Sequence, residues 1–184
     1  EVRTALVVGD QKEQLVAKVV GLAMTFLFYF AALLFGIALA TSVVEEKQSR
    51  IVEIITASIP VRQLLLGKVV GNVLLAIGQL VLYTTVALVG VSFTPFASMI
   101  PAMSSGLLWF VLFFVVGFTV IATLYAVAGA LASRTEDVQS TSVPVTMLVM
   151  LMFFGAMFLD GAPKTVASFV PPLSAVLMPM RIVE

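Results

Sequence analysis

An all-α, multi-pass transmembrane helical bundle is the fold class this sequence predicts, and three observations predict it. Between Lys68 and Arg134 the chain runs 65 residues without an Asp, Glu, Lys or Arg. A charge near the bilayer centre costs roughly 2.5–3.5 kcal/mol on insertion scales, so long charge-free apolar runs are what lipid selects. The 184 residues are 61% hydrophobic and only 11% charged, and the mean hydropathy of +1.16 lies well outside the range of soluble domains. Finally, the apolar runs have the length of membrane spans and are divided by short charged or proline-bearing connections.

The same composition excludes several function classes. Ten basic and ten acidic residues cancel, so no basic excess points to nucleic acid. The absence of Cys and His removes disulfides, thiolate chemistry, imidazole acid–base catalysis and the usual zinc ligand sets. The chain begins at Glu1 and stops at Glu184 with neither an initiator Met nor a signal-peptide pattern, which reads as an internal piece of a longer protein.

Residues 1–9, with Val2, Leu6, Val7 and Val8, read as a short strand at the end of a preceding domain. Asp10 and Glu13 have capping-box spacing and start a lead-in helix. Val19–Val44 is charge-free for 26 residues, enough to cross a ~30 Å core with tilt. A charged segment, 45–60, follows and ends at Ile59-Pro60, because the residue before proline is pushed out of the α region. Pro60 then suits the first turn of the next helix. The second span is 69–91. Residues 92–105 carry Pro95 and Pro101 without a charge and form a loop at a membrane face. The third span is 106–132, a polar connection follows at 133–137, and the fourth span is 141–159, irregular near Pro144. Residues 166–184 are apolar but contain Pro171, Pro172 and Pro179. Backbone groups freed by proline cannot face lipid, so this stretch reads as a re-entrant or interfacial segment. Residues 1–18 are therefore the end of an extracytoplasmic domain with its lead-in helix, and 19–184 the transmembrane domain.

Orientation follows Lys and Arg in short loops. Residues 45–68 contain Lys47, Arg50, Arg62 and Lys68, whereas 92–105 contain none. This places 45–68 and 133–140 in the cytoplasm and 92–105 and 160–184 outside.

Within 45–60, Glu46, Arg50 and Glu53 fall at i, i+4 and i+7 on one helical face, opposite Ile51, Ile54, Ile55 and Ile59. Two readings fit: an amphipathic helix resting on the membrane surface, or a docking element for a soluble partner. In the second span, Lys68, Asn72, Gln79 and Tyr83 form one polar line, beside a small-residue line of Gly67, Gly71 and Gly78. These serve helix packing or a translocation surface. The third span carries a small-residue line of its own, Ala122, Ala126, Gly129 and Ser133, which reads as packing. Glu136 and Asp137 solvate a short turn, or else cap it or meet the partner, and Asp160 sits where a carboxylate reaches water. Gly67-Lys68 is not a phosphate-binding loop, because Arg62 stands where the first Gly belongs and Val69 where Ser or Thr belongs.

The run Val43-Val44-Glu45-Glu46-Lys47-Gln48-Ser49-Arg50-Ile51-Val52-Glu53-Ile54-Ile55, followed by Ser58 and by Leu65-Leu66-Gly67-Lys68, resembles the membrane subunit of type-2 ABC exporters, closest to the sodium-efflux-permease branch. It departs from that pattern only at Ile55, where Leu is usual. Ala132–Ser140 and the stretch from Val170-Pro171-Pro172 to Arg181 agree, so the resemblance covers most of 19–184. It implies a six-span protein with a large extracytoplasmic domain after the first span, of which this chain holds spans two to five. It further implies that Glu45, Glu46, Lys47, Arg50 and Glu53 form a coupling element for an ABC ATP-binding subunit. That subunit would bind ATP and Mg, leaving this chain without a cofactor or catalytic residues of its own. Two permease subunits, identical or different, would pair in the cell membrane. The function expected is export driven by the partner's ATP hydrolysis, with sodium, drugs, peptides and lipids as open substrate classes. The alternative is a non-transporting scaffold or sensor that recruits a cytoplasmic partner through 45–60. A secondary transporter is disfavoured, since no carboxylate lies inside any span.

Overall fold

The computed structural model describes residues 2–49, 60–93, 97, 100–159, 161–170 and 173–183, with side chains from Lys18 onward except 100–106, 180, 182 and 183. All regular structure among these residues is helical. Helix α1 is Val2–Gln48, α2 Val61–Ser92, α3 Ile100–Leu131, α4 Val138–Phe158, α5 Gly161–Ala167 and α6 Ser174–Val183, with a 3₁₀ turn at Thr135–Asp137. The four long ones each contain a stretch apolar enough to cross a membrane: Lys18–Gln48, Val61–Ser92, Leu107–Leu131 and, counting the 3₁₀ turn, Thr135–Phe158. The protein is a multi-pass membrane bundle, as its composition predicts.

Three expectations are corrected. Residues 2–8 are not a strand: α1 is continuous from Val2. A lone strand would leave its backbone groups unpaired, whereas a helix satisfies them within the segment. No proline interrupts Val2–Gln48, so the capping signal at Asp10 lies inside a helix already formed. Helix α4 runs through Pro144. It lies in the second turn, where it removes one hydrogen bond close to the helix start. The 92–105 loop is shorter than predicted, because α3 begins at Ile100 with Pro101 in its first turn.

Helices α1 and α3 form the centre. Phe28 and Phe114 meet edge to face at 5.7 Å, and Phe35 and Phe118 at 6.3 Å. Close approach is permitted by glycine: a Cβ on Gly36 would collide with the Tyr125 ring, and one on Gly129 with the backbone of Ala40. Without a hydrophobic drive between helices in lipid, such small-residue contacts carry much of the association. The small line of α3 is thus packing, as its spacing predicts. Outward faces carry large apolar side chains, among them Leu74, Leu75, Leu108, Leu151 and Phe158.

The proline-rich C-terminal stretch folds back onto the bundle. Ala175, Val176 and Leu177 of α6 are buried, with Ala175 seated against Gly117 of α3. Arg181 donates to the Ser168 hydroxyl at 2.6 Å and lies 5.9 Å from the Phe169 ring centroid.

Candidate functional site at the charged end of the bundle

Antiparallel connection brings three helix ends together: the C-terminus of α1, the N-terminus of α2 and the C-terminus of α3. The two charged segments separated by 65 uncharged residues thereby meet at one end of the bundle.

Lys68, about two turns into α2, reaches α1. Its ammonium donates to the Ser42 carbonyl at 2.7 Å and to the Ser42 hydroxyl, and pairs with the Glu46 carboxylate at 2.9 Å. An ammonium has three N–H donors, and all three are engaged by residues one helical turn apart on α1. The Lys68 side chain is 13% exposed and that of Glu46 38%, so Lys68 is the member that the protein encloses.

Lys47 turns to the other neighbour. Its ammonium donates to the Ala130 carbonyl at 3.0 Å and the Ala132 carbonyl at 3.2 Å, and the Gln48 amide donates to the Ser133 carbonyl at 3.3 Å. These are carbonyls at the end of α3, which lack partners within their own helix and carry the negative end of its dipole. A cation there is favourable by about 0.3–1 kcal/mol at an exposed site. Next along the chain, the connection to α4 is held by Asp137, whose carboxylate accepts the Arg134 backbone N–H at 3.0 Å.

Of the predicted coupling residues, the structure therefore splits Glu45, Glu46 and Lys47. Glu46 and Lys47 are occupied within the chain, and Glu45 is exposed. Arg50 and Glu53, with the apolar face of that segment, lie outside the described residues.

The predicted polar line of α2 follows the seam with α1. Asn72 is buried and donates to the Phe35 carbonyl at 3.1 Å. Gln79 donates to the Tyr83 hydroxyl, and both border an apolar cleft of about 280 Å³ with Leu27, Phe30 and Leu34 of α1. The adjacent glycines Gly67, Gly71 and Gly78 face open space: a methyl group added at any of them would meet nothing within 4 Å among the described residues. They pack against no described helix of this chain.

A feature that sequence reasoning misses lies between α1 and α4. A cleft of about 440 Å³ is bordered by Thr41, Glu136, Gln139, Ser142 and Thr146. The Ser142 hydroxyl there is buried without a hydrogen-bond partner among the described residues. Scattered hydroxyls on two helices distant in sequence give no periodic signal, so the cleft emerges only once the helices are paired.

The sequence matches the profile of ABC-2 family transporter proteins over residues 5–184. The chain belongs to the ABC-2 transporter family. Its similarity to a curated protein agrees in extent: it is 32% identical over 194 residues to the uncharacterized protein YhaP of Bacillus subtilis (strain 168). That alignment covers 97% of this chain and 46% of the relative, so the chain spans about half the length of the relative it matches. No solved structure matches. The matched family is described as transporter proteins, and the four apolar helices of this ABC-2 chain agree with a multi-pass membrane location.

Proposed function

We propose that the chain is the transmembrane part of an ABC exporter permease, with the charged end of the bundle in the cytoplasm and a separate ATP-binding subunit docked against 45–60. The observation that carries this reading is the convergence of α1, α2 and α3 at that end. A partner touching the segment that leaves α1 would act on three spans at once. The basic residues of 45–68, set against the uncharged 92–105 loop, support the cytoplasmic placement. The sodium-efflux-permease branch, a missing first and last span, and pairing with a second permease subunit belong to the same proposal and rest on the resemblance of the 43–68 motif.

Two surfaces are available for translocation. The polar line of α2 is largely spent on α1, through Lys68 and Asn72. The α1–α4 cleft, with its hydroxyls and the Gln139 amide, has polar groups to offer a passing solute. We therefore assign the path to the α1–α4 face.

The test is purification of the full-length protein with its ATP-binding subunit and a charge reversal in the docking segment. Because Glu46 has an internal partner, Glu45→Lys with Glu53→Lys is the informative pair. Exposed ion pairs are individually weak, which is why two are reversed. Loss of co-purification or of coupled ATPase activity, with membrane insertion intact, is expected. Normal assembly and activity would leave 45–60 as a membrane-surface helix, and a protein that binds a different soluble partner and no ATPase would be the scaffold alternative.

A further inference from the structure

Near the charged end, α2 and α3 are separated by a cleft of about 400 Å³. Arg62, Leu65 and Leu66 border it on one side, Thr123, Val127 and Ala130 on the other. The two helices also pack directly on one another, and at this level the last turn of α1 holds both. Glu46 and Lys47 are adjacent, so their side chains leave the helix about 100° apart and address different neighbours. Glu46, with Ser42 one turn earlier, holds Lys68 of α2. Lys47 holds the terminal carbonyls of α3.

Helix α2 is also the span least enclosed by the others. Only Val69, Asn72, Ala76 and Leu80 are buried along it, and its glycine line is open. Its polar ties to α1 add to its packing against α3 in fixing its position. Helix α3, by contrast, is seated in the core through Phe114, Phe118 and Tyr125.

We propose that the last turn of α1 is a two-sided linkage that carries movement of the docking segment separately into α2 and α3. Glu46, Lys68 and Ser42 form one arm, and Lys47 with the Ala130 and Ala132 carbonyls forms the other. Glu46, Lys47 and Lys68 are positioning residues inside the permease, not contacts to the ATPase. This rests on the exporter reading above. A partner drives a conformational change only through contacts that differ between two states. Here the differing quantities are the positions of the two walls of the cleft, that of α2 through one arm and that of α3 through the other.

The experiment uses the full-length protein assembled with its ATP-binding subunit, in a background free of cysteine. Leu66→Cys reports on the α2 wall of the cleft and Val127→Cys on the α3 wall. Each is modified by a small maleimide with and without trapped ADP–vanadate. With Glu46 and Lys47 intact, trapping changes both rates, by about fivefold or more if the linkage matches ordinary coupling between sites. Glu46→Gln is expected to abolish the change at Leu66→Cys and spare that at Val127→Cys, and Lys47→Met to do the reverse. Lys68→Arg, which keeps the cation, retains both changes. A merely structural role would lower stability or shift the rates without nucleotide, leaving the two nucleotide responses equal. Should Glu46→Gln not assemble, Glu46→Asp withdraws the carboxylate by one methylene and tests the same arm. Nucleotide responses that persist at full size in the Glu46 and Lys47 variants overturn the linkage alone. Absence of any response with both residues intact overturns the exporter reading on which it rests.

Discussion

Asn72 donates its side-chain amide to the Phe35 carbonyl across the α1–α2 seam. The acceptor lies within a continuous helix, so its carbonyl also serves the ladder of α1. The bond is therefore the second on that oxygen, which has two lone pairs to offer. It satisfies an amide that would otherwise sit in hydrocarbon, and it pins α2 at a point one turn beyond Lys68.

Substitution at Asn72 should show a clear order. Asn72→Ala removes one interhelical bond, which averages about 0.6 kcal/mol in membrane proteins, and leaves a small void. Asn72→Asp replaces the donor by an acceptor facing a carbonyl and brings a charge toward the apolar interior, at a cost of roughly 2.5–3.5 kcal/mol. Thermal melts in detergent should therefore place Asn72→Asp well below Asn72→Ala, which stays near the native protein. Equal melting of the two variants would mean that Asn72 points to water in the assembled protein.

The glycines give a second contrast. Gly129→Ala places a methyl group against the backbone of Ala40, which no side-chain rotation relieves. Helices α1 and α3 must separate, and overpacking of this kind costs typically about 1–3 kcal/mol. Gly71→Ala meets nothing, and this half-buried helical position gains about 0.5–1 kcal/mol from alanine's better helix propensity. If Gly71→Ala instead destabilises the complete assembly while leaving the isolated chain unaffected, that line is an interface with another span or subunit.

The spans are legible in the sequence because the bilayer imposes a simple rule. Charge-free length alone locates Val19–Val44 within the observed helix and the other three to within a few residues at most ends. What composition does not encode is where a helix stops, since charge marks the edge of the apolar run and not the helix end: α1 runs on through Glu45–Gln48. The valines of 2–8 suggest a strand only while no account is taken of which strand would pair with them. The charged motif itself is legible as a motif, but its partners are not. Lys68 stands on the same face as Asn72 by counting, yet only the pairing of α1 with α2 reveals that Glu46 is what it meets. Glycine spacing is ambiguous for the same reason: Gly67-x-x-x-Gly71 fits the packing motif and is open, while Gly36, Gly117 and Gly129, which form no such motif with another glycine, are the tight contacts.

Ser142 offers a third test. Its hydroxyl is buried and has no partner among the described residues, a state that costs about 1–3 kcal/mol for a polar group. Ser142→Ala removes that group at almost constant shape, so the melting temperature should rise, by an amount corresponding to about 1 kcal/mol. The same change should impair export once a substrate is known, if the α1–α4 cleft is the path. A fall in stability would show instead that the hydroxyl is bonded in the complete protein.

Orientation is tested by labelling, since the chain contains no native cysteine. Ser49 follows the last turn of α1, at the end that also holds Lys47 and Lys68, and its backbone N–H closes on the Glu45 carbonyl at 3.0 Å. Ser98 stands in the sequence between α2 and α3, within the uncharged 92–105 stretch. Positive charge in short loops is retained on the cytoplasmic side, so the two positions should be separated by the membrane. In intact cells an impermeant maleimide should modify Ser98→Cys and spare Ser49→Cys until the membrane is opened. The expected difference is qualitative, all or none in the intact cell, because the barrier is access rather than reactivity. Modification of Ser49→Cys from outside would invert the topology and put Glu45, Glu46 and Lys47 beyond the reach of any cytoplasmic ATPase.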